Sequence, residues 1–427
     1  MSTTLLALAQ SIARELGYAS GTATSGTTAS LTDSSTDSPL DKADHNTLYA
    51  NSYLKIESDS AGTPLNVGEV RRVKTYVPAS QVVNWDTAMS NAVTSTQGYG
   101  LYLRVPPENL GVLKGIRSFI NDILPHLHYR YPVLLSLVTD ADCETSGVAA
   151  WSDVGTCTQA KSTTTGVTYG KQALSLTNTA ADSGVKNATT IPVVEGQVYQ
   201  ICADVRCDGY TANLKIYDAT NAATIDVVKA TAERGQRFLY NQVTIPSSCK
   251  EMEIHLLATG ASAVHYWDNI SVRQAYATEM ALPTWFTNPL WLEGVYYTYG
   301  GRREQDNDSW STDEREWIPV HNWGIVDDPA GIGYKVWFEG TQIPASSHLW
   351  AICRRPGAAL SADTDTTDID PNLIKASALA RIYADIAGTG DKAAQGQVAR
   401  WLAERDDLGR RRGMQTVQRA WKPLRNF

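Results

Sequence analysis

His126 and His128 stand two positions apart in the run PHLHYRY, the one place where imidazoles gather in this sequence. On a strand, positions i and i+2 share a face, so the pair could hold a transition metal if a third ligand joined them. No third ligand is in view along the chain, and packing or polar contacts are the simpler expectation. Hydrolysis of a glycosidic bond needs two positioned carboxylates. Glu108, Asp122, Glu293, Asp306 and Asp308 qualify by type, but none lies in a recognisable catalytic context. The sequence has no P-loop, no G-x-G-x-x-G after a strand, no G-x-S-x-G and no H-E-x-x-H. Its six cysteines form no C-x-x-C pair and no zinc-like spacing. They are expected as mostly free thiols of a protein folded in a reducing cytoplasm, with a Cys143–Cys157 bridge as the alternative. No catalytic residue is assigned, and the chain is expected to be neither an enzyme nor dependent on a cofactor.

Binding chemistry is better represented. Saccharides need exposed aromatic faces and polar groups in a groove, and Trp151, Tyr169, Tyr210, Tyr217 and Tyr240 are the candidates. The same side chains also fill β-sandwich cores. Tryptophan and tyrosine crowd residues 283–353, where core burial competes with use as interface anchors. From Trp401 to Phe427 seven basic residues face three acidic ones. Arg410, Arg411, Arg412, Arg419 and Trp421 there are candidates for contact with a neighbouring subunit, and the acidic stretch 363–370 offers a complementary surface. The whole chain of 427 residues carries a net charge of −8, which argues against nucleic acid as its partner.

The elements that must position these residues follow from periodicity. Leu5, Leu8, Ile12 and Leu16 predict an amphipathic helix over 3–16, capped by Ser2 or Thr3. Residues 18–42, rich in Ser, Thr, Gly and Asp, read as an extended arm able to lie across a neighbour. Strands are predicted near 48–56, 68–77, 81–84 and 100–105. A helix opened by Pro106 and Pro107 and ended by Pro125 follows, then a strand at 131–138. From about 140 to 274 short alternating strands recur every 8–12 residues without a helix, the pattern of an all-β sandwich. Further strands are expected at 294–299, 316–320, 334–338 and 348–353. Helices then cover 371–404, opened by Pro371, and a basic tail spans 405–427. The opening residues lack the basic start of a secretory signal, and no apolar run approaches the ~20 residues of a membrane span.

The stretch 140–274 resembles the jelly-roll carbohydrate-binding modules of bacterial xylanases and glucanases. The likeness is carried by Asp142–Glu144 and Trp151, by GKQALSL at 170–176, by VEGQVYQICADV at 194–205 and by WDNISV at 267–272. It implies a β-sandwich and a structural calcium near the joined ends of the two sheets. Glu144 and Asp268 stand where carboxylate ligands would be; the alternative is that Asp268 caps a turn or pairs with a backbone amide. Trp151, Tyr169, Tyr210 and Tyr240 are its candidate glycan contacts.

The flanks, 1–139 and 275–427, resemble neck or head-to-tail connector proteins of tailed phages. The layout that carries this is the N-terminal helix before its arm, VRRVKTYVP at 70–78, the PENL helix running into 131–138, and ICRRPGAALSADTDTTDIDPNLIKASALARIYADI at 352–386. The resemblance implies a discontinuous, β-rich α+β host domain interrupted by the sandwich. It also implies a ring of about twelve copies that contacts the portal and other neck or tail proteins in the virion, after assembly in the bacterial cytoplasm. The competing expectation is a glycan-binding fibre or receptor-adhesin of the virion, and surface glycans are its partners.

Overall fold

The computed structural model describes residues 3–35, 38–40, 52–60, 65–108, 114–207, 209–230, 235–299, 317–328, 333–339, 343–388 and 392–420, the last eleven by backbone alone. The chain is mainly β with flanking helices. It divides into two compact units, one of residues 1–129 with 356–427 and the other of residues 130–355. The borders fall outside the 140–274 stretch, because the aromatic-rich strands after it share the second unit with the sandwich.

In the first unit, Leu5–Leu16 is the expected helix, but its cap is Thr4, whose Oγ1 accepts from the Ala7 amide. Its buried stripe packs with the helices Ile116–Ile123 and Pro371–Gly388. Pro106 and Pro107 do not open the middle helix; their carbonyls accept from the Ile116 and Arg117 amides at its start. The segment 18–42 is not a free arm. Its described part contributes Tyr18–Thr22, Ser25–Gly26 and Ser30–Thr32 to a seven-stranded antiparallel sheet. Small hydroxyl side chains hide the strand periodicity there, yet the backbone pairs fully with Gln97–Tyr102 and Val82–Trp85. Residues 405–420 of the basic stretch continue the helix Lys392–Ala420, and 421–427 lie outside the described residues. The acidic stretch 363–370 works inside this unit. Lys55, 2% exposed, and Arg117 both pair with Glu108 and Asp363, and Asp365 accepts from the amides of Ser361 and Ala362.

The second unit contains the two-sheet sandwich. One sheet runs in the order Trp151–Val154, Ser183–Asn187, Glu251–Ala258, Ala212–Asp218, Ala223–Ala230, with Ile191–Pro192 added along Glu251–Ala258 to make six strands. The other has five, Cys157–Ser162, Ala173–Asn178, Val264–Gln274, Val198–Cys207 and Gln236–Thr244. Leu174, Ile201, Leu214, Ile254 and Trp267 fill the space between them. Alternation explains the burial, since every second residue of these strands points to the partner sheet. A four-stranded sheet, including Leu292–Tyr299 and Ser347–Pro356, and a three-stranded one share a second core around Phe286, Phe338 and Leu349. All six cysteines, Cys143 and Cys157 included, are free thiols.

Candidate functional site

The six-stranded sheet turns Val185, Leu214, Ile216, Ile254 and Leu256 into the sandwich. Alternation therefore puts Lys186, Lys215, Tyr217, Glu253 and His255 on its opposite face. Register brings them together: Lys186 and Lys215 both pair with His255, and Tyr217 pairs with Glu253. Glu253 sits at the centre. Its Oε1 accepts from Lys186 Nζ at 2.7 Å and its Oε2 lies 2.9 Å from His255 Nε2. The imidazole stacks on Tyr217 with ring centroids 4.9 Å apart and planes at 32°. Lys215 Nζ lies 4.8 Å from the Tyr217 ring centre, a cation–π contact.

Cross-strand packing makes this a fixed surface. His255 is 5% exposed and Glu253 7%, while Lys186, Lys215 and Tyr217 are half-buried. Burial pushes the His255 imidazole below its ordinary value, against the opposing pull of Glu253. Burial also pushes the Glu253 carboxyl up, but the hydrogen bonds from Lys186 and His255 outweigh it and hold the group below the usual carboxylate range. At neutral pH the face thus carries a carboxylate and a neutral imidazole beside the Tyr217 ring and two lysines. A ring platform edged by donors and acceptors suits a polyhydroxylated ligand, and no nucleophile with its base is present there.

The five-stranded sheet has the opposite fate. Its outward residues Cys202, Asp204, Ser271 and Arg273 are buried, because residues 344–350 lie on them. Arg273 Nη2 donates to Pro344 O at 2.6 Å, Ser271 Oγ lies 3.0 Å from His348 Nδ1, and Phe238 meets the His348 ring edge-on. Beneath this cover, Thr168, Asp204, Asp268 and Asn269 form a closed polar network. Register sets Asp268 opposite Asp204, just before the shift that leads to the Cys202–Ser271 pair. Burial, with Asp204 close by, pushes the Asp268 carboxyl well above its ordinary value.

The residues singled out from sequence are scattered by this architecture. Trp151 is buried in the sandwich core and offers no face to solvent. Tyr169 packs against Trp350 at 4.8 Å and Trp317 at 5.4 Å. Tyr210 is exposed, but it lies against Gly260, away from the others. Tyr240 is on the covered sheet and donates to Gln242 Oε1. Of the aromatic candidates only Tyr217 belongs to the open face.

The two carboxylates named for calcium are satisfied by one loop. Glu144 Oε1 accepts from the Lys171 and Gln172 amides, and Asp268 Oδ2 from the Thr168 and Tyr169 amides, which is the backbone-pairing alternative. Among the described residues no group of three or more His, Cys, Asp or Glu could hold a metal. His126 closes a 3-10 turn while His128 opens a strand, so the two share no strand face. The side chains of Arg410, Arg411, Arg412 and Arg419, and all of Trp421, lie outside the described residues.

Lys186, Glu253 and His255 escaped sequence reasoning. Their signal was the polar positions of GVKN and MEIHLL, which alternate with buried Val185, Ile254 and Leu256. What could not be read was that these two strands are neighbours.

Comparison with known proteins finds no matching family model and no matching curated protein. Among solved structures, the chain is similar to the CBM22-1 xylan-binding domain of Paenibacillus barcinonensis Xyn10C, with 18% identity over 34% of this chain and 94% of that one, at a TM-score of 0.27. It is similar to TmCBM61 in complex with β-1,4-galactotriose, with 14% identity over 33% of this chain and 98% of that one, at 0.27. It is also similar to the enzymatically active domain of bacteriophage CBA120 tailspike protein 4, with 12% identity over 33% of this chain and 21% of that one, at 0.27.

Proposed function

We propose that this chain is a non-catalytic glycan-binding protein of a tailed-phage particle, of the fibre or receptor-adhesin kind. The saccharide lies on the outer face of the six-stranded sheet. The observation that carries this reading is the partly exposed Tyr217 ring on the outer face of the sheet, backed by the buried His255, which Glu253 and Lys186 hold in place. Ordered side chains lose little entropy when a ligand arrives, which favours binding. The sequence resemblance of 140–274 to carbohydrate-binding modules supports the same reading. The virion setting rests on the phage-like layout of the flanks.

Affinity electrophoresis of the full chain against a panel of bacterial surface and storage polysaccharides tests it. Retardation by at least one polymer, lost in Tyr217→Ala with the fold intact by circular dichroism, is the expected result. Equal retardation of the variant, or release of reducing ends from the polymer, overturns it. The neck-ring reading rests on layout alone, and one part of that layout, the extended arm at 18–42, has Tyr18–Thr22, Ser25–Gly26 and Ser30–Thr32 paired within the seven-stranded sheet of its own chain. Mass measurement of the purified chain, alone and mixed with the portal, distinguishes a ring subunit from an adhesin.

A further inference from the structure

We infer that the open face selects an acidic polysaccharide, one bearing uronic-acid carboxylates, and that Lys215 is the residue that reads the carboxylate. The inference rests on the glycan-binding reading and narrows it to a ligand class.

The charges around Tyr217 and His255 do not balance; the other carboxylate of this face, Glu251, is exposed two positions from Glu253. Lys186 is neutralised by Glu253. Lys215 has no carboxylate within ion-pair distance among the described residues, and the ring of Tyr217 is its neighbour instead. Lys229, exposed on the next strand, shares this face: Lys215 pairs with Val227 and Asn213 with Lys229, so the two lysines are diagonal cross-strand neighbours. Such neighbours sit roughly 7–8 Å apart, within reach of long side chains. Lys186 and Lys215 are the cross-strand partners of His255 on its two sides, so both stand beside the platform.

A neutral sugar would leave Lys215 half-buried with no anion. A carboxylate beside the stacked ring supplies one, in a setting where a charge-assisted hydrogen bond is stronger than in bulk water. Lys215, with Lys229 diagonal to it, suits a polymer with a single carboxylate on each sugar.

The experiment is calorimetric titration of the full chain with polygalacturonate, alginate and hyaluronate, each compared with its carboxyl-reduced form. The native chain is expected to bind at least one acidic polymer about tenfold more tightly than its reduced form, with the margin shrinking as salt rises. Lys215→Met is expected to bring the acidic polymer down to near the level of the reduced one. Circular dichroism and a melting curve check that the variant folds. Equal affinity for acidic and reduced forms, or a Lys215→Met chain that keeps the full margin, overturns the inference and leaves the glycan-binding reading standing. Binding only to neutral polymers of the wider panel does the same. Binding to no polysaccharide at all overturns both.

Discussion

His348 and Ser271, 77 residues apart in the chain, share a buried hydrogen bond of 3.0 Å between Nδ1 and Oγ. Through it the strand Ser347–Pro356 lies on the outward face of the five-stranded sheet, so one face of the sandwich is spent on folding while the other stays open.

The first prediction concerns independence of the sandwich. A fragment of residues 140–274 uncovers Cys202, Asp204, Ser271 and Arg273 and removes Trp350 from the sandwich core cluster. Polar groups evolved for a dry contact and an unfilled aromatic site both cost stability. The fragment 130–355 is expected to melt in one cooperative step and the shorter fragment roughly 10 °C lower, or to aggregate. Calorimetry of the two fragments decides it, and equal melting temperatures refute the idea.

His265 provides a pH-dependent test of that core. Trp267 Nε1 donates to its Nδ1 at 2.8 Å, so its Nε2 carries the proton and donates to Asn178 Oδ1 at 3.0 Å. Burial pushes this imidazole down from 6.5 to about 4. Between those values the unfolded chain binds the proton and the folded one does not, so stability falls as pH drops from 6.5 to about 4. The span corresponds to on the order of 3 kcal/mol. Asp268, raised by burial, works in the opposite sense, favouring the fold at low pH. The informative quantity is therefore the difference between the native chain and His265→Gln, which should narrow as pH falls through this window. Urea unfolding at half-unit pH steps measures it, and a difference independent of pH rules the prediction out.

Lys55 makes a prediction for the first unit. Its ammonium is buried between Glu108 and Asp363, with Arg117 beside both carboxylates. Lys55→Met leaves the two acids sharing Arg117 alone. Both acids are more than a third exposed, which discounts the penalty to about 1–3 kcal/mol. Adding Asp363→Asn should return part of that loss, since the second change removes the acid left short of a partner. A strictly additive double variant in denaturant titrations contradicts the network.

How much of this was legible in the sequence depends on what each strand buries. Residues 212–217 and 252–257 were readable because Leu214, Ile216, Ile254 and Leu256 alternate with polar neighbours, and the strands extend over Ala212–Asp218 and Glu251–Ala258. Ser183–Asn187 and Ala223–Ala230 were missed: the first is short and small-chained, and the second lies at the sheet edge with most side chains in solvent. Strand order is a long-range property, so nothing local joined Lys186 to Glu253 across 67 residues. For the same reason residue type alone did not say which aromatic candidates face outward. Tyr217 and Trp151 each stand in a strand of one sheet, but one faces outward and the other into the core.

The last prediction joins the face to its ligand. Glu253 currently neutralises Lys186 and anchors His255. Glu253→Gln keeps the shape and an acceptor oxygen for Lys186 or His255, but it removes the only carboxylate bonded within the platform. His255 stays neutral at pH 7, because burial and the two lysines continue to depress it once the raising influence of Glu253 is gone. Lys186 then becomes another uncompensated cation in the row with Lys215. If the ligand carries carboxylates, the variant should bind it several-fold more tightly at low salt, with a steeper loss as salt rises. A neutral ligand would instead be bound equally or more weakly, since the change adds net positive charge and no new contact. Titration of native and variant chains with polygalacturonate at two ionic strengths reads the sign directly. Weaker binding by Glu253→Gln at both would mean that Glu253 itself touches the sugar, and that the carboxylate of the ligand lies elsewhere.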